Sequence, residues 1–253
     1  LKYCFSHSIR CYMSPKISDI ILLGTDRIHL FDTPLLMCRN QGLSMEQRAA
    51  KRVLDIIVSG LGIIVSSPIM LIIAIAVKAY DGGPVFYLQD RLTYQGKEFR
   101  IRKFRSMCVD SEKNGARLAS KHDSRITPVG HVLRNLHLDE LPQLFNVFMG
   151  DMSLVGPRPE RDVIMQEYEQ EIPEFHYRLK VKAGLTGYAQ VYGKYNTTPY
   201  DKLKLDLFYI ENYSFLLDIK LLFMTVKIFF QKEVSEGVDD NQKNALKDSE
   251  DKK

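Results

Sequence analysis

Two adjacent carboxylates, Asp139 and Glu140, stand just before Pro142 and a run of apolar residues. Proline is tolerated in the first turn of a helix because it has no N–H to donate, so we expect a helix to begin near Glu140 with Asp139 at or beside its N-cap. Such an end favours anions. There one carboxylate stays ionised and can attack phosphorus, while its neighbour can hold a divalent cation. The alternative is that both acids only complement the helix dipole.

A second candidate is Arg158, which stands between Pro157 and Pro159 and follows Gly156. The two prolines restrict the backbone on either side, so the planar guanidinium is offered from a stiff loop. Little entropy is then lost when it binds a phosphate with two parallel hydrogen bonds. A simple turn marked by proline is the alternative reading of these residues.

The basic segment from Phe99 to Met107 has the alternation of a strand. This alternation places Lys103 and Arg105 on the same face as Phe99 and Ile101. Cations directed toward a core need an anionic partner, so both are candidate phosphate-binding residues. A solvated basic strand is the alternative, with the long side chains lying along the surface.

The clearest physical signal is a stretch of 22 uncharged residues from Ile56 to Val77. As a straight helix it would be about 33 Å long, enough to cross the hydrocarbon core of a bilayer. Ser67 and Pro68 lie near its middle. Proline removes a helical hydrogen bond and kinks the chain, and nearby serine hydroxyls can satisfy the freed groups, so we expect a re-entrant helix that returns to the same face.

Both flanks of this stretch are basic, with Lys51 and Arg52 before it and Lys78 after it. Equal charge at both ends gives no orientation for a crossing and suits a hairpin whose ends both meet an anionic inner leaflet. We therefore interpret Lys51 and Arg52 as membrane anchors. A kinked helix that spans the membrane is the alternative, because spanning helices tolerate proline.

Several separate motifs in this order resemble those of the bacterial sugar transferases, the monotopic phosphoglycosyl transferases that initiate capsule, exopolysaccharide and O-antigen repeat units. The resemblance covers about residues 46 to 235. It is carried by Lys51–Asp55, Ser67–Pro68, Gly83–Tyr87, Lys103–Met107, Leu138–Leu144, Gly150–Pro159 and Gly184–Val191.

The resemblance implies a transfer in two steps from a nucleoside-diphosphate sugar, expected to be a UDP-sugar, to polyprenyl phosphate. It identifies Asp139 as the nucleophile that becomes a sugar-phosphoryl aspartate, and Glu140 as the ligand of Mg²⁺, for which Mn²⁺ can substitute. It also implies substrate contacts for Lys103, Arg134, Arg158 and the acid Asp206. Cations and a metal beside one carboxylate suit a dianionic leaving group and a phosphorylated lipid.

The same resemblance implies a bacterial inner membrane location with the catalytic part on the cytosolic face. The expected partners are the donor sugar, the lipid phosphate and anionic inner-leaflet lipids. It admits a homodimer, and we expect no nucleic-acid partner. A catalytically silent membrane scaffold of the same fold is the alternative function. A glycoside hydrolase is disfavoured. Its two carboxylates must lie about 5–9 Å from each other on either side of the glycosidic bond, and adjacent residues at one helix end are poorly placed to do this.

The expected fold class is α+β, with a re-entrant membrane helix and a small, mostly helical catalytic domain that contains a β-hairpin and amphipathic interfacial helices. We expect residues 1–45 to be the end of an upstream Rossmann-like domain with its linker, in a chain that begins inside a longer protein. Residues 46–80 would form the membrane helix, 81–231 the catalytic domain and 232–253 a disordered tail.

Local signals predict several elements within these regions. Ile20–Leu23 reads as a strand, and Asp32–Pro34 as a turn. A β-hairpin is predicted from Val85–Gln89 and Glu98–Arg105, and Thr127-Pro128 predicts a short helix that ends near Asn135. Further helices are predicted for Glu160–Glu171 and for Tyr213–Phe230, the last either lying on the membrane or packed into the core.

The composition agrees with a membrane-surface protein that handles phosphates. The net charge is +4, and seven basic residues face three acids between Lys78 and Arg105, which favours phosphates and anionic headgroups. Three of the four cysteines fall in the first 38 residues without paired metal-ligand spacing, as suits a reducing cytosol.

Overall fold

The computed structural model describes residues 2–30, 33–37, 43–109, 123–193 and 197–229. They fall into two compact units, residues 1–40 and 41–253. The first contains α1 (Lys2–Ser6), α2 (Ile17–Leu23), β1 (Asp26–Leu30) and β2 (Thr33–Met37). The second contains α3 (Met45–Asp81), β3 (Phe86–Leu92), β4 (Glu98–Phe104), α4 (Pro128–Asn135), α5 (Gln143–Met149), β5 (Ser153–Val155), α6 (Asp162–Glu171), β6 (Gly184–Thr186), α7 (Tyr188–Tyr192), α8 (Pro199–Glu211) and α9 (Phe215–Phe229).

The strand predicted for Ile20–Leu23 is wrong, because these residues belong to α2. The helix is favoured by its start, where the amide of Lys16 donates a 2.9 Å hydrogen bond to the carboxylate of Asp19. Ile17 and Ile20, three residues apart, are both buried, which is helical spacing. A run of apolar residues fits either element, so the cap decided the outcome.

Strands β1 and β2 of the first unit form an antiparallel hairpin in which Leu30 pairs with Thr33. The turn predicted for Asp32–Pro34 lies partly outside the described residues, because Asp32 is not among them. Thr33 and Pro34 are the first residues of β2 and not part of a turn.

The second unit begins with α3, a helix of 37 residues. Its first turn is closed by Ser44 and Gln47, which each accept a hydrogen bond from the other's backbone amide, and it ends at Gly82, whose φ is 69°. Such a left-handed end is the usual role of glycine at a helix C-terminus. Within the described residues, α3 is the one helix long and apolar enough to cross a membrane.

Helix α3 continues through Pro68 without a break in its secondary structure. The missing amide of Pro68 leaves the carbonyl of Ile64 free, and the hydroxyl of Ser67 donates a 2.8 Å hydrogen bond to that oxygen. Ser66 donates similarly to Gly62, at 2.6 Å. The serines therefore satisfy the backbone at the proline, as predicted, whereas a hairpin of two separate helices is not seen and re-entry stays a prediction.

The hairpin of β3 and β4 packs beside the C-terminal half of α3. Phe86 pairs with Phe104 and Leu92 with Glu98, across a 3-10 turn at Tyr94–Gly96. The predicted hairpin is confirmed, and β3 extends to Leu92, three residues beyond the prediction. The adjoining core is formed by buried residues of α3, β4 and α4, namely Met70, Ile73, Val77, Phe104 and Leu133.

Strands β5 and β6 form a short parallel pair in which Ser153 pairs with Gly184 and Val155 with Thr186. The two chains approach so closely that a Cβ on Gly184 would lie 2.1 Å from the amide nitrogen of Gly156. Glycine is therefore required at this crossing. It sets the position of the loop that follows β5, which carries Arg158.

The predicted helices are largely confirmed. Helix α4 begins and ends where predicted, and the hydroxyl of Thr127 accepts a 2.9 Å hydrogen bond from Gly130. Helix α6 begins at Asp162, two residues later than predicted. The tail predicted to be disordered, 232–253, lies outside the described residues.

The two readings of α9 both describe part of this helix. Asp218 and Leu221 are fully buried on one side, whereas Leu216, Phe223 and Val226 are exposed on the other. The helix thus packs against the domain through one face and presents apolar side chains to its surroundings through the other.

Candidate active site

Asp139 and Glu140 lie in a 3-10 turn, Leu138–Glu140, that precedes α5. The expected start of the α-helix near Glu140, with Asp139 at its N-cap, is therefore corrected: α5 begins at Gln143, and Pro142 is the residue before it. The physical reason is that the amides here bond three residues back, as in the 3.1 Å bond from Leu144 to Leu141. This tight turn sets both carboxylates beside strand β4 and the loop after β5.

Glu140 is held by two cations that come from different elements. Its Oε1 lies 2.6 Å from Nζ of Lys103, on β4, and 2.8 Å from Nη2 of Arg158, on the loop after β5. Burial alone would raise the pKa of Glu140, but the charges of Arg158 and Lys103 and their hydrogen bonds outweigh burial and hold the pKa well below its ordinary range. Glu140 is therefore an ionised carboxylate at any working pH.

Asp139 differs sharply from its neighbour, because its carboxylate has no hydrogen-bond partner in the described parts of the chain. The residue is only 9% exposed. Burial, and next the charge of Glu140, raise the pKa of Asp139, while Lys103 and Arg134 act in the opposite direction. Burial thus opposes the ionisation expected for Asp139, and the local cations favour it. The result is an unpaired carboxylate beside positive charge.

The remaining cations near this pair have different surroundings. Burial lowers the pKa of Lys103, and the carboxylate of Glu140 opposes that shift. Arg134, on α4, donates from Nε to the hydroxyl of Ser106 at 2.9 Å, and its charge lowers the pKa of Asp139. Arg158 is half-exposed, so its guanidinium is accessible to a ligand as well as to Glu140.

Arg105 lies away from this group of charges, although the sequence placed it with Lys103. Its guanidinium pairs with Asp81 at the C-terminal end of α3. The predicted alternation of β4 ends before Arg105, because Phe104 is buried and the strand stops there. Arg105 is thus part of the junction between α3 and the hairpin, and its binding of substrate stays a prediction.

Asp206 is only 1% exposed and cannot contact a substrate as it stands. Its Oδ2 lies 2.8 Å from Nη2 of Arg178. The same Arg178 nitrogen donates a 3.0 Å hydrogen bond to the backbone carbonyl of Arg158. Helix α8 directs this carboxylate inward and Arg178 lies between it and the loop, and the predicted contact of Asp206 with substrate stays a prediction.

Lys51 is buried and Arg52 is partly exposed, and both have partners within the protein. Their predicted role as membrane anchors stays a prediction. The Nζ of Lys51 lies 2.6 Å from the carboxylate of Asp218 on α9. Arg52 donates to the carbonyls of Val147 and Phe148, at 2.8 and 2.7 Å. Both cations join the N-terminal end of α3 to the catalytic unit, because a buried charge requires a polar partner.

The acidic residues of this site determine whether it can hold a divalent cation. Among the described residues no group of three or more histidine, cysteine or acidic residues meets at one point. Mg²⁺ is commonly bound by one or two carboxylates together with substrate phosphates and water. The open carboxylate of Asp139 beside Glu140 fits such a shared site, and a site made of protein ligands alone is not supported.

Three residues that shape this site were not among the candidates predicted from the sequence. Ser106 orients Arg134, Arg178 supports the Arg158 loop, and Arg91 donates a 3.1 Å hydrogen bond to the carbonyl of Pro159. Arg178 begins an alternating basic run with Lys180 and Lys182. That run was a signal of partly buried cations, but it did not indicate their partners.

The fold and the site together define a class of protein. It is an α+β protein with a long apolar helix, and its site places the acid Asp139 beside Glu140, which is paired with two cations. Residues 46–232 match the bacterial sugar transferase family. The chain belongs to this family.

Three curated relatives illustrate the similarity. The UDP-N-acetylgalactosamine-undecaprenyl-phosphate N-acetylgalactosaminephosphotransferase of Aeromonas hydrophila is 44% identical over 180 residues, which are 70% of this chain and 43% of the relative. The UDP-glucose:undecaprenyl-phosphate glucose-1-phosphate transferase of Klebsiella pneumoniae is 43% identical over 208 residues, 80% of this chain and 43% of the relative. The undecaprenyl-phosphate galactose phosphotransferase of Salmonella typhimurium is 36% identical over 237 residues, 87% of this chain and 49% of the relative. The chain therefore spans about half the length of these relatives.

Proposed function

We propose that this protein transfers a sugar 1-phosphate from a UDP-sugar to undecaprenyl phosphate and so initiates a surface polysaccharide repeat unit. The observation that carries the proposal is the carboxylate of Asp139, which has no hydrogen-bond partner in the described residues and lies beside a glutamate paired to Lys103 and Arg158. The names of two relatives supply the donor class, a UDP-hexose or UDP-N-acetylhexosamine, and all three names contain undecaprenyl phosphate.

In the first step, a carboxylate oxygen of Asp139 attacks the phosphorus that bears the sugar. The bond between this phosphorus and the bridging oxygen breaks, and UMP leaves with the electron pair. The product is a sugar-phosphoryl ester of Asp139. In the second step, a phosphate oxygen of the lipid attacks the same phosphorus, which releases the carboxylate of Asp139 and forms a lipid diphosphate sugar.

The cations of the site have matching roles in this scheme. Arg158 is half-exposed and stands between two prolines. Its guanidinium can therefore contact a phosphate, either while it stays paired with Glu140 or after that pair separates. Lys103 and Arg134 favour the ionised form of Asp139, because both charges lower its pKa and so oppose the effect of burial. Glu140, with Asp139, would hold Mg²⁺ or Mn²⁺, which when bound supplies charge neutralisation at the phosphates.

We further propose that α3 enters the inner membrane and returns to the cytosolic face. Two contacts support this, because both ends of α3 are tied to the same catalytic unit: Arg52 to the carbonyls that end α5, and Asp81 to Arg105 after β4. A straight crossing would carry these ends about 40 Å apart on opposite sides of the bilayer. Ser67 and Pro68, at the middle, would be the point of bending.

The same arrangement favours a catalytic domain seated at the headgroups. Helices α5 and α9 expose apolar side chains that a lipid surface would cover, and the cationic site would then meet a lipid phosphate and a cytosolic nucleotide in one leaflet. The exposed residues are Phe148 and Met149 on α5 and Leu216, Phe223 and Val226 on α9.

A direct assay tests the reaction. Membranes containing the protein are incubated with each of several nucleoside-diphosphate sugars, with and without undecaprenyl phosphate, and release of nucleoside monophosphate is followed. We expect sustained UMP release with at least one UDP-sugar only when the lipid is present. A protein that releases no monophosphate from any donor would be the silent scaffold instead.

A further inference from the structure

The loop that carries Arg158 is held by all four of its consecutive carbonyl groups. The amide of Gly184 donates to Pro157 at 2.8 Å, and the amide of Leu92 donates to Glu160 at 3.0 Å. Between them, Arg178 donates to the carbonyl of Arg158 at 3.0 Å, and Arg91 donates to that of Pro159 at 3.1 Å. The two central bonds therefore come from charged side chains.

These two arginines belong to a balanced cluster behind the loop. Arg91 and Arg178 lie 3.7 and 3.6 Å from the two carboxylate oxygens of Glu160. Asp206 completes the cluster through its 2.8 Å contact with Arg178. Two cations thus meet two acids, and Arg178 and Asp206 are nearly inaccessible to water. A buried charge of this kind is stable only when its partner is present.

The prolines alone do not locate the loop. They restrict the backbone of Pro157 and Pro159 and of the residue before each, which makes the segment stiff. Stiffness sets the shape of a segment but not its place relative to Glu140, which lies on another element. The carbonyl contacts supply that place, because they tie the loop to other elements and a hydrogen bond donated by a charged group is stronger than a neutral one.

We propose that Arg178 and Arg91 are positioning residues that hold the Arg158 loop by its carbonyls, and that Asp206 acts on the reaction through Arg178 and not by touching substrate. Arg158 is thereby fixed where its guanidinium reaches both Glu140 and a phosphate of the donor. This inference rests on the proposed function only for its consequence in catalysis. The structural claim stands on the contacts alone.

Hydrogen exchange of the full chain in lipid nanodiscs tests the structural claim without any activity. Asp206→Asn removes the charge that pairs with Arg178. Arg178→Lys keeps a positive charge but loses the planar guanidinium that contacts several acceptors at once. Both are expected to speed exchange of the amides hydrogen-bonded in or to this loop, those of Leu92, Gly156 and Gly184, by about ten-fold or more. The matched control is Asp81→Asn, which breaks the pair with Arg105 elsewhere and should leave this loop unchanged. The thermal midpoint of each variant is measured alongside.

A double-mutant cycle tests the catalytic consequence. Asp206→Asn is expected to raise the donor KM and to lower the rate in the native background, but to change activity by less than about two-fold when Arg158→Ala is already present. The proposal is overturned if loop exchange in Asp206→Asn equals the native rate, or if the two substitutions are additive in activity. If the native protein releases no monophosphate from any donor, the proposed function fails and the exchange result alone decides the positioning role.

Discussion

Lys103 and Glu140, 37 positions apart in the sequence, meet at 2.6 Å between Nζ and Oε1. This pair, with Arg158 on the other side of the same oxygen, leaves Glu140 ionised and leaves the adjacent Asp139 without a hydrogen-bond partner in the described residues. The two neighbouring acids are therefore unequal. Glu140 is fixed by cations, and Asp139 is open to a ligand.

Asp139→Asn is expected to reduce UMP release to below about one thousandth of the native rate, because an amide cannot act as the phosphorus nucleophile. Mass spectrometry of the native protein held with donor and no lipid should find a sugar phosphate on the peptide that contains Asp139. The control Asp162→Asn changes an exposed acid at the start of α6 and should retain native activity. A sugar phosphate on the Asp139→Asn protein would contradict the assignment.

Glu140→Gln is expected to lower the rate and to raise the Mg²⁺ concentration needed for half-maximal activity by at least about ten-fold. A neutral amide is a poorer ligand for a hard cation, and it also leaves Lys103 and Arg158 without their shared partner. A magnesium titration of activity measures this, with the exposed Glu167→Gln as control. An unchanged titration would remove Glu140 from the metal site.

Activity is expected to fall at acid pH, because Asp206 becomes protonated. Burial raises the pKa of Asp206 to about 6, although the charge of Arg178 opposes the shift. Glu160 and Lys202 are the other charged groups that act on it. The carboxylate is thus ionised above about pH 6 and becomes neutral below, where it no longer pairs with Arg178.

The donor KM measured from about pH 8 to about pH 5 should therefore rise as the pH falls through about 6. Asp206→Asn should have a high donor KM at every pH and lack this step. If the substituted enzyme keeps the same step with the same midpoint, another group is responsible.

Single cysteines test re-entry of α3, in a background without the native cysteines. Met45→Cys, before the apolar stretch, and Val163→Cys, on α6, both replace highly exposed residues. A re-entrant helix keeps both on the cytosolic side, so neither should react with an impermeant thiol reagent in intact cells and both should react after lysis. Labelling of only one of them from outside would indicate a crossing.

The bend at Pro68 has its own test. Pro68→Ala restores the backbone hydrogen bond to Ile64 and should straighten α3, because proline is the residue that removes this bond. We expect the two cysteines to differ in labelling in a fraction of molecules, with a matching loss of activity. Ser67→Ala is the companion variant, since its hydroxyl now satisfies Ile64. Native labelling and activity in Pro68→Ala would exclude a role for the proline.

Elements that depend on neighbouring residues could be predicted from the sequence. Thr127-Pro128 predicted the start of α4, the segments Val85–Gln89 and Glu98–Arg105 predicted the hairpin, and the uncharged stretch predicted a helix of membrane length. Signals of this kind act within a few residues, so they can be recognised in the sequence. The strand predicted at Ile20–Leu23 failed for the same reason, because apolar content alone does not choose between helix and strand.

Which charged side chains pair with one another became known from the folded chain. Lys51 pairs with Asp218 across 167 positions, Arg178 with Asp206 across two elements, and Arg105 with Asp81 instead of with the acidic pair. Each choice depends on how the elements pack, because an ion pair needs its two atoms within a few ångströms and sequence spacing does not set that distance between separate elements. The charged residues could therefore be identified in the sequence, but their partners could not. The fold shows which of them lie at the acidic pair and which support the surrounding elements.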